Sequence, residues 1–134
     1  MTRDRFQQLV QAALADIPPQ FRDALTNIAI VIEDAPTTEQ LAQFDIEPPD
    51  TLYGLYEGTP LTDRGWADGN RLPDKITLFQ EPIEEDSEDE DDVVIGIGET
   101  LIHEIGHYFG LSEEEIEHIE DEYWRRLEDA EPES

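Results

Sequence analysis

Cysteine is absent from the 134 residues, and lysine occurs once, at Lys75. The missing thiols exclude disulfides and any thiolate metal site, leaving histidine and carboxylate as strong ligands. Lysine and arginine total 8 against 35 acidic side chains, for a formal net charge of −27. A surface of that sign repels phosphate backbones and anionic bilayers, so neither nucleic acid nor membrane is an expected partner. No run of about 18 apolar residues is available to span a bilayer, and the segment Met1–Gln20 has helical apolar spacing rather than the continuous core of a signal peptide. These absences predict a soluble, cytoplasmic protein. Two readings fit the acidity itself: adaptation to high salt, in which hydrated carboxylates oppose aggregation, or an ordinary acidic protein with an acidic loop. A melting curve in molar KCl against low salt separates them. A higher melting temperature belongs to the first reading, and no gain removes it.

The length suits one domain with a single core, read over residues 1–134. Phe6, Leu9, Val10, Ala13, Leu14 and Ile17 recur at helical steps and predict a first helix, ended by Pro18-Pro19. Pro19 opens a short second helix through Leu25. Asn27–Glu33, apolar and β-branched, predicts a buried strand, and Thr37 to Gln40 a capping box with a helical turn or two. Pro48-Pro49-Asp50 makes a turn. Thr51–Tyr56 and Asp74–Gln80 predict two further strands, separated by a Gly-rich loop over Arg64–Pro73. Glu84–Asp92 (EEDSEDEDD) reads as a solvated acidic loop held extended by repulsion, without the glycine that a calcium loop requires. Val93–Phe109 predicts a nearly buried helix despite Gly96, Gly98 and Gly106, each costing about 1 kcal/mol relative to alanine. Such tolerance points to close packing or to room for a ligand. Gly110 stops that helix, and Ser112 with Glu115 caps a last one running to about Leu127. Residues 129–134 read as a frayed tail.

Residues 103–113 read HEIGHYFGLSE, and two of the three histidines of the chain fall within them. On a helix His103 and His107 stand one turn apart and can grip one metal ion, while Glu104 flanks them as a base for water. Zinc suits a ligand set of imidazole and carboxylate, and a catalytic zinc needs one more protein ligand and an open position. Gly110 turns the chain back so that Glu113 can reach the metal. Glu113 beside the Ser112 cap also favours the helix dipole for purely structural reasons. His118, Glu117 and Glu122 are rival third ligands, whereas Glu114, Glu115 and Glu120 read as solvated. Tyr53, Tyr56, Tyr123 and His118 are available as oxyanion donors without one being singled out. Trp66 and Trp124 read as core or rim residues.

With NIAIVIEDAP, LYGLYEGTPL, PDKITLFQEPI and HEIGHYFGLSEEE in place, the chain resembles the small bacterial zincin-like metallopeptidases over nearly its whole length. The resemblance implies an α+β minimal zincin, with a small twisted mixed sheet packed beside the HExxH active-site helix. It implies zinc held by His103, His107 and Glu113, with Glu104 as catalytic base, and a peptide or protein substrate. It also implies that the strand Asp74–Gln80 borders the cleft and pairs with an extended peptide. Two departures from the related metzincins stand out: the only methionine is Met1, so no Met-turn lies under the metal, and the third ligand is Glu rather than His. The expected activity is zinc-dependent hydrolysis of peptide bonds. The alternative is a non-catalytic metal-binding or protein-interaction module on the same scaffold.

Overall fold

The computed structural model describes residues 1–58 and 74–130. The expected loop Arg64–Pro73 with its Trp66, and residues 131–134 of the expected tail, lie outside the described residues.

Helix α1 (Arg3–Asp16) starts where the Thr2 hydroxyl accepts from the Arg5 amide, and it buries Phe6, Leu9, Val10 and Ala13. Helix α2 (Pro19–Ala24) follows the two prolines and closes in a single 3-10 turn, Leu25–Asn27. Strand β1 (Ala29–Glu33), helix α3 (Thr38–Gln43) and strand β2 (Gly54–Glu57) come next. The Thr37–Gln40 capping box forms as its sequence requires, both reciprocal hydrogen bonds being present. Strand β3 (Lys75–Phe79) runs into a short helix α4 (Gln80–Glu85), and the two long helices are α5 (Glu90–Phe109) and α6 (Glu113–Ala130). The mixture of helices with one small mixed sheet is the expected α+β fold. Among the described residues, no helix is long and apolar enough to cross a membrane.

The strand order is β1-β3-β2, with β3 parallel to β1 and antiparallel to β2. This order corrects two expectations. Residues Asn27–Glu33 were expected to form a buried strand, but β1 is an edge strand with Ala29 exposed and Ile30–Glu33 only half-buried. The strand fully enclosed is β3, where Ile76, Leu78 and Phe79 have no accessible surface and Thr77 almost none. Paired on both sides, β3 cannot border the cleft. That place belongs to β2, which is also shorter than the expected Thr51–Tyr56.

The acidic run is the third correction. Glu84 and Glu85 end α4, Asp89 caps α5 by accepting from the Asp92 amide, and Glu90, Asp91 and Asp92 form the first turn of α5. Only the stretch between them is loop. Carboxylates at a helix N-terminus satisfy free amides and oppose the positive end of the dipole, which offsets their mutual repulsion. The Arg5 guanidinium adds a two-point contact to Glu90 at 2.7 and 2.8 Å. At the other end of the chain α6 continues to Ala130, past the expected Leu127 and into the first residues of the expected tail.

Helix α5 is the axis of the core. Val93, Ile97, Leu101, Ile102 and Ile105 are buried among Phe6, Leu9 and Val10 of α1 and Ile76 and Leu78 of β3. Gly110, at φ 71°, adopts the left-handed conformation that ends α5, and the Leu111 amide donates to the Gly106 carbonyl at 3.0 Å. The chain then reverses, and α6 packs back along α5. Ile116 fits against Gly106 and Tyr123 against Gly98, where a β-carbon would stand 2.5 Å and 2.0 Å from their side chains. These two glycines therefore serve close helix packing. Gly96 has a nearest neighbour at 3.5 Å and lines a separate cavity instead.

Candidate metal centre

The outward face of α5 that is not needed for the core carries Glu99, Thr100, His103, Glu104 and His107. These residues form one wall of a cleft of about 420 Å³. The opposite wall is β2 with the segment before it, contributing Leu52, Tyr53, Gly54, Leu55 and Tyr56, and Phe44 closes one end. In the β2–β3 ladder the Phe79 amide donates to the Tyr53 carbonyl, so the alternating pattern turns the backbone groups of Gly54 and Tyr56 away from β3. The Tyr56 amide accordingly reaches across the cleft and donates to Glu104 Oε1 at 2.9 Å.

His103, Glu104 and His107 each offer a ligand atom within 4.8 Å of the others, a group able to hold a metal ion. The imidazole rings stand 4.7 Å apart between centroids, and both side chains are a little over one-third exposed. Glu104 is buried, with 7% of its surface accessible. Its Oε1 lies 3.6 Å from His107 Nδ1. A hydrogen bond to Glu104 raises the His107 pKa above the ordinary value, against partial burial, and the charges of Glu104 and Glu113 add to the rise. Protonation of His107 competes with a metal for the site, so acid opposes metal binding.

The residues expected from the sequence separate clearly in space. Glu113, in the first turn of α6, brings Oε1 to 3.5 Å from His107 Nε2 and 3.9 Å from His103 Nε2. His118 faces outward, 3.5 Å from Glu122, and shares an exposed groove with Glu117 rather than the cleft. The fold does not bring any of these three rivals to the two imidazoles. Tyr53 and Tyr56 line the cleft, and their hydroxyls donate to Asp86 and Asp74. Tyr123 is fully buried between α5 and α6, and Trp124 is a rim residue at 39% exposure.

Glu120 was expected to be solvated, and its place at the cleft departs from that expectation. It lines the cleft, its side chain 30% exposed, with Oε1 3.5 Å from His103 Nδ1. The signal that could have found it is its spacing on α6. Glu113, Ile116, Glu120 and Tyr123 step by three, four and three residues, so they share one helix face. Glu99 faces the same corner. Burial and then the charge of Glu120 raise its pKa, opposed by a hydrogen bond from Trp124.

A buried helix that presents two imidazoles one turn apart, with a carboxylate between them facing an edge strand, is a candidate metal centre of the His-Glu-x-x-His class. The family model of the zincin-like metallopeptidases matches residues 25–123, and the chain belongs to that family. No curated protein matches the chain.

Proposed function

We propose that the protein is a zinc-dependent metallopeptidase, with zinc held by His103, His107 and Glu113 and with Glu104 as the base. The observation that carries this reading is the convergence of three donor atoms from two helices. A tetrahedral zinc with bonds of about 2.0–2.1 Å sets its ligands about 3.3 Å apart. The Glu113 oxygen stands 3.5 and 3.9 Å from the two Nε2 atoms, close to that spacing. The donor set also fits: two imidazoles and a carboxylate, in a chain with no cysteine. Zinc bound there supplies Lewis acidity toward water and toward a carbonyl.

The chain's own residues account for the rest. Glu104 Oε1 is held by the Tyr56 amide, which fixes the carboxylate plane and leaves Oε2 to take a proton from the attacking water. The same carboxyl group then returns the proton to the leaving amine. An extended peptide lies along the outward edge of β2, where Gly54 turns its backbone groups away from β3. Leu52, Leu55 and Phe44 give its side chains apolar surface. The net charge of −27 favours neutral or basic peptides over acidic ones, an effect that salt weakens.

Metal analysis of the purified protein tests the site. About one equivalent of zinc is expected after dialysis against zinc, and less than about a tenth removes the reading. Glu113→Ala should weaken binding by more than the roughly 10–100-fold that an outer contact supplies, whereas His118→Ala should leave it unchanged. A non-catalytic metal-binding or protein-interaction module is the second reading, and the lack of a Met-turn, Met1 being the only methionine, is the observation that favours it. Hydrolysis of an unbiased peptide mixture by the zinc-loaded protein decides between the two.

A further inference from the structure

We infer that Glu120 positions His103, accepting its Nδ1 hydrogen so that Nε2 is presented toward Glu113 and a metal held between them. This inference rests on the zinc reading and concerns a residue outside the ligand set.

The argument begins with helix register. Ile116 and Tyr123, both buried, lock into α5 at Gly106 and Gly98. Glu120 lies between those two anchors on the same face of α6, so its place opposite His103 is set by packing on both sides. The two nitrogens of His103 consequently face two different carboxylates. Nδ1 is 3.5 Å from Glu120 Oε1, and Nε2 is 3.9 Å from Glu113 Oε1. A neutral imidazole carries one hydrogen. With that hydrogen directed to Glu120, the Nε2 lone pair is free for a metal and the ring is oriented.

Folding supplies no comparable reason for a glutamate here. Among the described residues, the basic side chain within ion-pair distance of Glu120 is His103 itself. The other charged neighbour is Glu99, which Glu120 disfavours as a carboxylate. The two roles thus have opposite signs. Removing Glu120 relieves Glu99 in the metal-free protein and loosens His103 in the metal-bound one.

Zinc affinity, measured by competition with a chromophoric chelator, tests this in the full chain with Glu120→Ala and Glu120→Gln. Glu120→Ala should bind zinc about 10–100-fold more weakly. Glu120→Gln keeps an oxygen acceptor of the same shape and should recover much of that loss. The metal-free melting temperature of Glu120→Ala should equal or exceed that of the wild type. In the zinc-loaded wild type, nitrogen-15 spectra of the imidazoles should place the His103 hydrogen on Nδ1. A loss within about threefold for Glu120→Ala overturns the inference, since outer contacts to a metal-binding histidine contribute more. A spectrum with Nδ1 as the metal-bound atom also overturns it. Should Glu120→Ala fail to fold, the spectrum and Glu120→Gln decide: the hydrogen must stay on Nδ1 and the affinity loss must be small. Wild type that takes up no zinc instead overturns the metal reading itself.

Discussion

Glu104→Gln is expected to keep its zinc and to lose hydrolysis by about 10²–10⁴-fold, the range a positioned general base contributes. The substitution keeps shape and volume. It also keeps a carbonyl oxygen able to accept from the Tyr56 amide, the contact at 2.9 Å that ties β2 to α5. Glu104 is buried, so a variant that left this amide unpaired would lose stability as well as activity and confuse the result. Glutamine avoids that, and its amide cannot take the proton. The measurement is kcat on a cleaved peptide together with zinc content and melting temperature. Equal, poor cleavage by wild type and variant would remove the enzymatic reading and leave the metal-binding module. Loss of zinc in the variant would mean that Glu104 is a ligand and not the base.

Gly98→Ala is expected to destabilise the fold by about 2 kcal/mol, which for a domain of this size lowers the melting temperature by roughly 5–10 °C. The added β-carbon would sit 2.0 Å from the Tyr123 hydroxyl and 2.6 Å from its ring. Alanine gains about 1 kcal/mol of helix propensity over glycine, but overpacking costs about 1–3 kcal/mol, and against a fully buried ring the upper end applies, which leaves a net loss of about 2 kcal/mol. Tyr123 has no accessible surface, and burial, with smaller contributions from Asp16 and Glu99, pushes its pKa up to about 12. Among the described residues its buried hydroxyl has no hydrogen-bond partner. Tyr123→Phe should therefore be neutral or stabilising by up to about 1 kcal/mol. The double variant should recover part of the Gly98→Ala loss, with a coupling of about 0.5–3 kcal/mol. Because the same contact sets the register of α6, Gly98→Ala should weaken zinc binding as well. A Gly98→Ala protein melting at or above the wild type would show that this contact does not hold α6.

Much of the site was legible because its rules are local. The i, i+4 spacing of His103 and His107, the stop at Gly110, and the caps at Thr37 and Ser112 each depend on atoms within one helical turn. Glu113 was within reach for the same reason, since it follows the turn that ends α5. The cleft-facing side of α5 could be read because a helix this apolar has no packing use for two imidazoles and a carboxylate. The acidic run misled because charge repulsion argued for an extended loop. The helix N-terminus at Glu90 accepts those carboxylates, and the guanidinium of Arg5 that meets Glu90 lies 85 residues away in sequence.

The sequence by itself determined the helix with its two histidines, the caps and the stop at Thr37, Ser112 and Gly110, and an α+β composition. Hydrogen bonds and side-chain pairs within about four residues leave their spacing in the chain. Only the tertiary structure decided that β3 lies in the middle and β2 at the cleft, since a strand's neighbours depend on pairings 18 or more positions apart. It alone decided that Glu120, and not His118, comes to His103. Two positions on one helix differ by half a turn there, and which half meets α5 is fixed by Ile116 and Tyr123 filling the spaces above Gly106 and Gly98.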